Sequence, residues 1–572
     1  MGTSGARRRS VTPWVGTGIL LLVLALLSVA AMARPRGFEH AAARLVAVDG
    51  GYATMAAADG SRLDVETAHQ TGAGALTSAP EAFLSGALAL GWELSDQRWV
   101  RQSERHEEDG RTAATHRLQT VTEAGLETWV EVSPAGDRVF SPPLPTLVAD
   151  VAPGSRWSAE GTVSDGSGAD IGSYRVDLAA EDADEAGCLD VRQELVVAGR
   201  AETGVDTWCP GRGVVARERD GRRWTPAAAP GPSAGLGTAN PAPRWEPGRW
   251  RAEERPLLRH GTEAVLTSAQ PPVAGSDPER LVLALDAAGD LVALDTATPG
   301  SPVLWYAHPG GVLTAVRTFG QVTVAATTTR ELVAYDDRGR RLWTHRLDDV
   351  SQAGPLALDA TTLVVADLSG TVTALDVATG AERWRAALDS DLTGTPVVCG
   401  DVVVAADAVP GLHAFDAATG AERWRWTPPE PVQTVGCDAG LVVLTDLEGD
   451  RHGIDAGDGT TRWRVAGPST VRTVAVVSGL VVLGTADGVE ALDAATGESR
   501  WSQPEAPLTL LEAGGHLVLA RPAGLDVLTP DGQRVAEVPV DLAGLGGSAR
   551  LSAVEDGLWV LTAAGTLTRV GP

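Results

Sequence analysis

The second half of the sequence contains a repeated unit, and this repeat limits the possible folds more than any other feature of the chain. An aspartate, a turn and a tryptophan recur, and successive aspartates are 38 to 41 residues apart. The motif residues are Asp295, Trp305, Asp336, Trp343, Asp376, Trp384, Asp416, Trp424, Asp455, Trp463, Asp493 and Trp501. A regular repeat of this length is typical of propellers and solenoids, in which each unit is one supersecondary structure.

Each unit has the pattern of short β-strands. Residues 401–405 are an apolar run, residues 412–416 alternate in character, and Gly420 ends a turn. Such runs, bounded by turn residues, predict about four strands in each unit. In the turn the aspartate can accept backbone N–H groups, while the glycine adopts a positive φ without steric cost. The tryptophan that follows is large and flat, and we expect it to fill the space between neighbouring sheets.

Units of four strands predict a β-propeller, because radial repetition protects the strand edges of an all-β chain. The pattern weakens after Trp501: residues 527–535 keep the turn but have valine where tryptophan is expected, and residues 557–570 supply two or three more strands. Seven units and an incomplete one predict eight blades, with seven as the alternative. The incomplete blade needs a strand from before the first blade, and residues 245–250 are the expected place for it.

The six best units have the character A-x-D-x-x-T-G-x-x-x-W, and they resemble the repeat of pyrroloquinoline quinone dehydrogenases and of related non-enzymatic propellers. The related propellers include the propeller lipoprotein of the outer-membrane barrel-assembly machinery. The resemblance covers about residues 258–572 and implies an eight-bladed propeller whose tryptophans dock adjacent blades. It does not imply the cofactor. The dehydrogenases carry two adjacent cysteines over the quinone, a calcium ion and a catalytic aspartate, and this sequence has no adjacent cysteines.

The chain has four cysteines, Cys188, Cys209, Cys399 and Cys437. An even number in an exported chain is compatible with two disulfides, and buried free thiols are the alternative. Cys399 and Cys437 lie 17 and 18 residues before the aspartates of their units, a spacing that favours a bridge between neighbouring blades. Cys188 and Cys209 lie near the ends of predicted paired strands, in a region that more faintly resembles an exported β-rich domain, and we expect a disulfide there.

The residues before the repeats predict a second domain. Residues 38–225 are not repetitive, and their short alternating runs and frequent turns predict a smaller β-rich α+β domain with one helix-compatible stretch near residues 80–94. Residues 226–247 are rich in Pro, Gly and Ala and predict a linker. Residues 248–572 then form the propeller, so that the whole chain is predicted to be mainly β.

The N-terminus predicts export. Arginines at positions 7–9 precede an apolar run over residues 14–33, which is long enough to span a bilayer. We interpret the run as a signal anchor, with residues 1–13 as a short cytoplasmic N-terminus and the rest of the chain outside the membrane. The alternative is a cleaved signal peptide and a secreted protein, because residues 31–33 have the small-x-small form of a cleavage site, which would follow Ala33.

Charge excludes several classes of function. The 74 acidic residues outnumber the 47 basic residues and give a net charge of −27, so a nucleic acid partner is not expected. Every basic side chain other than histidine is arginine, since the sequence contains no lysine. Phosphate-loop, Schiff-base and serine–lysine chemistries all need that amine and are excluded.

Three short motifs are similar to functional sites, but each has a structural interpretation. Residues 231–235 match G-x-S-x-G but lie in the linker, without the strand and helix that the nucleophile elbow requires. The segment from Asp389 to Gly394 is similar to the start of a calcium loop, but its twelfth position is Gly400, so a solvated loop between blades is favoured. His106 is followed by two glutamates without zinc spacing. No catalytic, cofactor-binding or metal-binding residue is therefore predicted, and no cofactor.

The predicted function is binding. A membrane-tethered propeller outside the cytoplasm offers a large rigid face for a protein partner or an extracellular ligand, and catalysis is not required. Two alternatives remain at this point: a quinoprotein-type oxidoreductase that uses pyrroloquinoline quinone, and a ligand-sensing ectodomain.

Overall fold

The computed structural model describes residues 40–70, 98–108, 111–133, 135–227, 251–255, 273–274, 280–284, 291–295, 303–409, 411–438, 440–467, 471–540, 542, 550–554, 557–561 and 567–571. Over these residues the chain is almost entirely β structure, as predicted. It forms a closed barrel followed by a propeller arrangement.

The barrel has twelve antiparallel strands, each paired with its neighbours in sequence, and β1 also pairs with β12 to close it. A short helix, α1 (Ala41–Leu45), precedes the strands. The strands are β1 (Gly51–Ala56), β2 (Arg62–Gln70), β3 (Arg98–Glu108), β4 (Arg111–Thr122), β5 (Gly125–Val132), β6 (Arg138–Val148), β7 (Arg156–Ser164), β8 (Asp170–Asp182), β9 (Leu189–Val197), β10 (Arg200–Cys209), β11 (Gly213–Arg219) and β12 (Arg222–Pro226).

The apolar core of the barrel includes the helix. Ala42, Ala43 and Leu45 are buried in one cluster with Leu126, Phe140 and other strand residues. The segment around the helix is also held by main-chain hydrogen bonds, from Ala42 N to Ala149 O and from Gly211 N to Arg44 O. The helix Ala41–Leu45 therefore belongs to the folded barrel domain.

Seven propeller blades follow, each a four-stranded antiparallel sheet of consecutive strands. Blade 1 is β14 (Val273–Ala274), β15 (Arg280–Ala284), β16 (Leu291–Asp295) and β17 (Val303–Ala307); blade 2 is β18 (Leu313–Phe319), β19 (Val322–Thr327), β20 (Glu331–Tyr335) and β21 (Arg341–Arg346); blade 3 is β22 (Leu356–Ala357), β23 (Thr362–Ala366), β24 (Thr371–Asp376) and β25 (Glu382–Ala387); blade 4 is β26 (Leu392–Cys399), β27 (Val402–Asp407), β28 (Gly411–Asp416) and β29 (Glu422–Trp426); blade 5 is β30 (Val432–Asp438), β31 (Leu441–Asp446), β32 (Arg451–Asp455) and β33 (Thr461–Val465); blade 6 is β34 (Val471–Val477), β35 (Leu480–Thr485), β36 (Val489–Asp493) and β37 (Ser499–Gln503); blade 7 is β38 (Thr509–Ala513), β39 (His516–Arg521), β40 (Gly524–Leu528) and β41 (Arg534–Pro539).

An eighth four-stranded sheet is composite. It joins β13 (Arg251–Arg255), from before blade 1, to the C-terminal strands β42 (Arg550–Val554), β43 (Gly557–Leu561) and β44 (Leu567–Gly571). Strand β13 pairs antiparallel with β44, from Arg251 opposite Gly571 to Arg255 opposite Leu567. The sheet has the predicted construction, and its closing strand begins one residue after the segment in which it was expected.

Burial within a blade explains the sequence pattern of the repeat. In blade 4 all six residues of β27 are buried, and so are the first five of β28, whereas Trp424 is the one buried residue of the outer strand β29. Middle strands are covered on both faces by the neighbouring blades, so they show continuous apolar runs instead of alternation. Blades 4 and 5 accordingly share one hydrophobic cluster, which includes Val404 and Val442.

The tryptophans dock each blade on the next. The Trp384 ring donates from Nε1 to Ala417 O at 2.8 Å, and Trp424 donates to Ala456 O at 2.8 Å. The same bond recurs from Trp305 to Asp337 O, from Trp343 to Val377 O, from Trp463 to Ala494 O and from Trp501 to Pro530 O. Every acceptor lies in the turn of the following blade.

Both predicted disulfides are present. Cys188 is bonded to Cys209 in the barrel, and Cys399 is bonded to Cys437, which joins the first strands of blades 4 and 5.

A buried carboxylate joins the barrel to the propeller. Glu66 on β2 accepts hydrogen bonds from His308 N at 2.9 Å, Arg341 at 2.9 Å, Arg105 at 3.2 Å and Tyr335 Oη at 3.3 Å. Its side chain is 2% exposed. A charge buried this deeply is stable only when it is fully paired, so Glu66 fixes the position of the barrel against blades 1 and 2.

Within the part of the chain that the structure describes, no helix is both long enough and apolar enough to cross a membrane. The predicted anchor at residues 14–33 lies outside the described residues. So do the helix-compatible stretch at residues 80–94, the G-x-S-x-G motif at 231–235 and the segment 245–250.

Packing against the tryptophan predicts the effect of a methyl group at the turn glycine. Gly380 has φ +68°, and a Cβ there would lie 2.6 Å from Trp343 Cδ2, whereas Gly400 has φ +65° and nothing within 4 Å of its Cβ position. Gly400→Ala should cost about 1 kcal/mol of unfolding free energy through its backbone conformation alone. Gly380→Ala should cost about 1–3 kcal/mol more, because the ring must move. Equal losses in urea unfolding would show that tryptophan docking does not limit stability.

Loss of the Glu66 charge should uncouple the two domains. Glu66→Gln removes the buried negative charge that Arg105 and Arg341 share and should cost about 3–5 kcal/mol at the junction. In calorimetry the barrel and the propeller should then unfold in more widely separated transitions. Glu331→Gln is the control, since its pair with Arg346 is 3.8 Å long and 64% exposed on the arginine side. A single unchanged transition in Glu66→Gln would contradict the role given to this residue.

Candidate binding face of the propeller

One end of every blade carries two kinds of connection. In blade 4 the start of the first strand pairs with the end of the second, Leu392 opposite Asp407, so the hairpin between the second and third strands lies beside the connection from blade 3. Val409 in this hairpin donates its N–H to Ser390 Oγ in that connection at 2.9 Å. Equivalent ends of the blades lie on one side of a propeller, and we call this side the Val409 face.

Buried aspartates anchor the loops of the Val409 face. Asp407 and Asp446 end the second strands of blades 4 and 5, and Asp367 directly follows the second strand of blade 3; each is 1% exposed. Asp367 Oδ2 accepts from the N–H groups of Asp348 and Asp349, both at 3.2 Å. The turn N–H groups that bond to a carboxylate hold the loop in one conformation. Hydrogen bonds to buried carboxylates therefore hold the loops of the Val409 face in place.

Two of these aspartates are paired with histidines. His413 Nε2 lies 3.1 Å from Asp407 Oδ2, and His452 Nε2 lies 3.1 Å from Asp446 Oδ2. The two histidines are 39 residues apart and occupy the same position in blades 4 and 5. The sequence analysis missed both pairs, although the six-residue spacing from aspartate to histidine recurs in adjacent units and was a usable signal.

The surface above these anchors has apolar side chains. Val409 is 63% exposed, Leu447 58% and Val312 52%. Val409 and Leu447 lie in the corresponding hairpins of blades 4 and 5, and Val312 precedes the first strand of blade 2 at the same end. Two exposed carboxylates lie nearby in the chain: Asp391 in the connection before blade 4 and Glu448 in the hairpin of blade 5. The arrangement provides isolated apolar side chains beside exposed carboxylates.

The opposite face carries the predicted motif aspartates. Asp376 and Asp416 each accept bonds from the turn N–H and hydroxyl groups of the following threonine, with Thr379 N and Thr419 N at 3.0 and 2.9 Å. Hydrogen bonds from Arg423 and Thr419 lower the pKa of Asp416 to about 2. This arrangement is turn chemistry, in which the carboxylate organises the loop.

Sequence reasoning missed the arginine of this motif. In four units the second oxygen of the turn aspartate pairs with the arginine seven residues later, directly before the tryptophan. The pairs are Asp376–Arg383, Asp416–Arg423, Asp455–Arg462 and Asp493–Arg500. Four repeats of Arg-Trp in the units were the available signal.

The remaining motif aspartates differ. Asp336 accepts from the N–H groups of Arg338 and Arg340 and pairs with the Arg340 side chain at 2.6 Å. Asp295 ends β16, opposite Arg280 in the sheet register. His106, in the barrel, makes an edge contact with the Trp224 ring at 5.2 Å between ring centroids.

The barrel interior holds a second concentration of charge. Arg217 lies between Glu104 and Asp206, at 2.5 and 2.8 Å, and its side chain is 4% exposed. Burial by itself would raise the pKa of Asp206, but Arg217 and Arg219 hold it well below its usual value. Burial is likewise outweighed at Glu104, whose pKa is lowered by Arg117 and Arg217. The cavity beside these residues is only about 80 Å³, enough for a few water molecules.

Comparison with known proteins identifies the repeats. Residues 213–395, 328–435, 368–509 and 411–553 match the protein family PQQ_2, described as outer membrane protein assembly factor BamB. No curated protein matches the sequence.

Three of the solved structures that are similar to this chain have low sequence identity and TM-scores below 0.5. BamB from Moraxella catarrhalis is 20% identical, with 52% of this chain and 95% of that chain covered and a TM-score of 0.42. The computationally designed Ika8 protein is 17% identical, with 54% and 98% covered and a TM-score of 0.46. Sqt1 of Saccharomyces cerevisiae is 10% identical, with 56% and 97% covered and a TM-score of 0.45.

The lowered pKa values predict how the barrel responds to acid. Because the folded-state pKa of Glu104 and of Asp206 lies below the unfolded value, their pairs contribute fully above about pH 5 and are lost as the pH falls toward the folded pKa. Arg217→Met should cost about 3–5 kcal/mol at pH 7, since it leaves two buried carboxylates without this partner. The difference from wild type should shrink in acid, where the carboxyl groups of the variant take up protons.

Urea unfolding of the barrel at neutral and acid pH measures this effect. The control is Arg175→Met, because Arg175 is 67% exposed in its pair with Asp177, and its effect should stay within about 0.5 kcal/mol. A loss in Arg217→Met that is independent of pH would contradict the electrostatic explanation.

Proposed function

This chain belongs to the family of the outer membrane protein assembly factor BamB, and we propose that it is a non-catalytic scaffold of the cell envelope that binds a protein partner on the Val409 face. The observation that carries the proposal is the pair Val409 and Leu447, two large apolar side chains that are 63% and 58% exposed on anchored hairpins of adjacent blades. Apolar side chains on a rigid support bind a partner with little loss of conformational entropy.

Charge indicates the character of the partner. The chain has a net charge of −27, and exposed Asp391 and Glu448 flank the two apolar side chains. Complementary potentials steer encounter and suppress wrong partners. We therefore expect the partner to present apolar side chains within a basic surface.

The proposed location outside the cytoplasm rests on the chain's own chemistry. Both cysteine pairs are bonded, Cys188 to Cys209 and Cys399 to Cys437, and such bonds persist in oxidising compartments. The arginines at positions 7–9 and the apolar run over residues 14–33 supply the proposed membrane attachment.

The cysteine geometry favours binding over quinone chemistry. Cys399 and Cys437 belong to the first strands of two different blades and are bonded to each other. Two directly adjacent cysteines, which the dehydrogenases of the resembled type carry, do not occur in this sequence. Binding to a partner is accordingly the function that we propose to test.

Cross-linking in intact cells tests the face directly. A tagged full-length chain is compared with the double variant Val409→Asp, Leu447→Asp, and captured proteins are identified by mass spectrometry. The expected result is a protein that is captured reproducibly by the wild type and lost with the double variant, because two buried carboxylates at an apolar contact are unfavourable.

Val535→Asp is the matched control. Val535 is also exposed, at 45%, but lies on the outer strand of blade 7. Capture should survive in this variant. Capture that persists in the double variant, or that is lost equally in Val535→Asp, would contradict the assignment of the Val409 face. Stoichiometric binding of pyrroloquinoline quinone would instead favour the oxidoreductase.

A further inference from the structure

Blade 4 brings three potential ligand groups together below the Val409 face. Asp389, Asp407 and His413 each place one ligand atom within 4.8 Å of the other two. Asp389 lies in the connection from blade 3, Asp407 ends β27 and His413 is the third residue of β28, so sequence spacing alone does not reveal the cluster. Acidic clusters are common without a metal, but three further observations distinguish the cluster in blade 4.

The first of these is an unpaired buried oxygen. Asp407 is 1% exposed, and its Oδ1 atom has no hydrogen-bond partner in the described structure. Its Oδ2 atom, in contrast, faces His413 Nε2 at 3.1 Å and accepts from Asp389 N at 3.2 Å. A buried carboxylate oxygen without a partner is unfavourable, and a hydrogen-bond donor or a cation beside it would remove this cost.

The second observation concerns the atoms that lie near Asp407 Oδ1. A Cβ built on Gly411 would lie 2.8 Å from Asp407 Oδ1, 2.9 Å from His413 Nε2 and 3.3 Å from Val409 O. Because Gly411 has no side chain, Asp407 Oδ1, His413 Nε2 and Val409 O lie close together on one side of its Cα, with no methyl group pressed against them. These are the atom types that coordinate divalent metals.

The third observation is the support of the imidazole. His413 Nδ1 lies 2.9 Å from Glu422 Oε1, so Glu422 can accept the Nδ1 proton and direct Nε2 toward Asp407. Histidines that bind zinc are commonly oriented by such an outer carboxylate. Glu422 also pairs with Arg425, which contacts Asp389. Three carboxylates and one guanidinium therefore lie around the imidazole ring.

Blade 5 also brings three such groups together, Asp446, Asp450 and His452, but it lacks the unpaired carboxylate oxygen and the outer carboxylate of blade 4. Asp446 Oδ1 accepts from Glu448 N at 3.1 Å and Asp450 N at 2.9 Å, so both oxygens of its carboxylate are bonded. The position of Glu422 is taken by Thr461. The pair of His452 and Asp446 is a satisfied structural interaction and provides an internal reference for blade 4.

We propose that blade 4 binds one zinc ion through Asp407, His413 Nε2 and Asp389, with Glu422 orienting the histidine. Asp389 has two carboxylate oxygens and can keep Arg425 on one of them. The imidazole ligand favours zinc over calcium and magnesium, which take oxygen ligands only. The segment that starts at Asp389, which the sequence analysis interpreted as a solvated loop, would then contribute a ligand.

The experiment titrates the purified full-length chain, freed of metal by a chelator, with Zn²⁺ alone in competition with a chromophoric chelator. One zinc per chain is expected for the wild type, and loss of that zinc for His413→Gln and Asp407→Asn. His452→Gln is the matched control and should bind like the wild type. Glu422→Gln should weaken the affinity by about 10–100-fold, the usual effect of removing an outer carboxylate.

Gly411→Ala provides a second test if His413→Gln fails to fold. It keeps every ligand but places a methyl group against Asp407 Oδ1, and it should abolish zinc binding while the far-ultraviolet circular dichroism stays unchanged. Co²⁺ in place of zinc should give d–d absorption that is lost in the same variants. Any of three results would overturn the site: stoichiometry well below one, zinc retained by His413→Gln, or equal loss in His452→Gln. Binding of Ca²⁺ in preference to Zn²⁺ would overturn the assigned metal.

Discussion

The contact between each blade tryptophan and the turn of the following blade determines the geometry of the propeller. Trp384 shows the arrangement: its ring lies where a Cβ on Gly420 would come within 2.5 Å, and its Nε1 donates to Ala417 O at 2.8 Å. Only a glycine with positive φ, here +72°, allows that approach. The indole ring is large and apolar and also carries one N–H donor. A single side chain therefore packs the two blades together and fixes their orientation through its hydrogen bond.

This docking passes from blade to blade and makes the Val409 face rigid. Where the tryptophans fix the turns on the opposite face, the buried aspartates fix the hairpins on this one: Asp367 and Asp407 bond to the N–H groups of the preceding connections. The Cys399–Cys437 disulfide adds a covalent link between the first strands of blades 4 and 5. Val409 and Leu447 are thus displayed on two blades that are tied to each other, and their separation is set by the fold.

The repeat made the propeller predictable because it depends on local rules. The turn aspartate, the glycine and the tryptophan act within or next to their own unit, and six copies make the pattern recognisable. The incomplete C-terminal unit also indicated that a strand from before blade 1, here β13, completes the last sheet. The closed barrel was not predictable, since alternating strands do not reveal which strand ends meet. The junction was hidden for the same reason: Glu66 and Arg341 are 275 residues apart. The sequence does not show which side chains lie near His413. Asp389, in the connection before β26, and Glu422, on β29, approach it only in the folded blade.

Blades 4 and 5 show how one repeat can acquire different chemistry without a change of fold. Both carry the buried aspartate and the histidine six residues later, but blade 4 has glycine at position 411 and glutamate at 422, where blade 5 has Asp450 and Thr461. In blade 5 the Asp450 N–H satisfies the carboxylate oxygen that remains unpaired in blade 4. Asp407 lies two residues before Val409, so a cation held there would reduce the negative charge directly beneath the apolar contact. Partner binding and zinc binding involve different residues of the same hairpin, and a partner whose affinity falls when zinc is removed would show that the ion tunes the charge of the binding face.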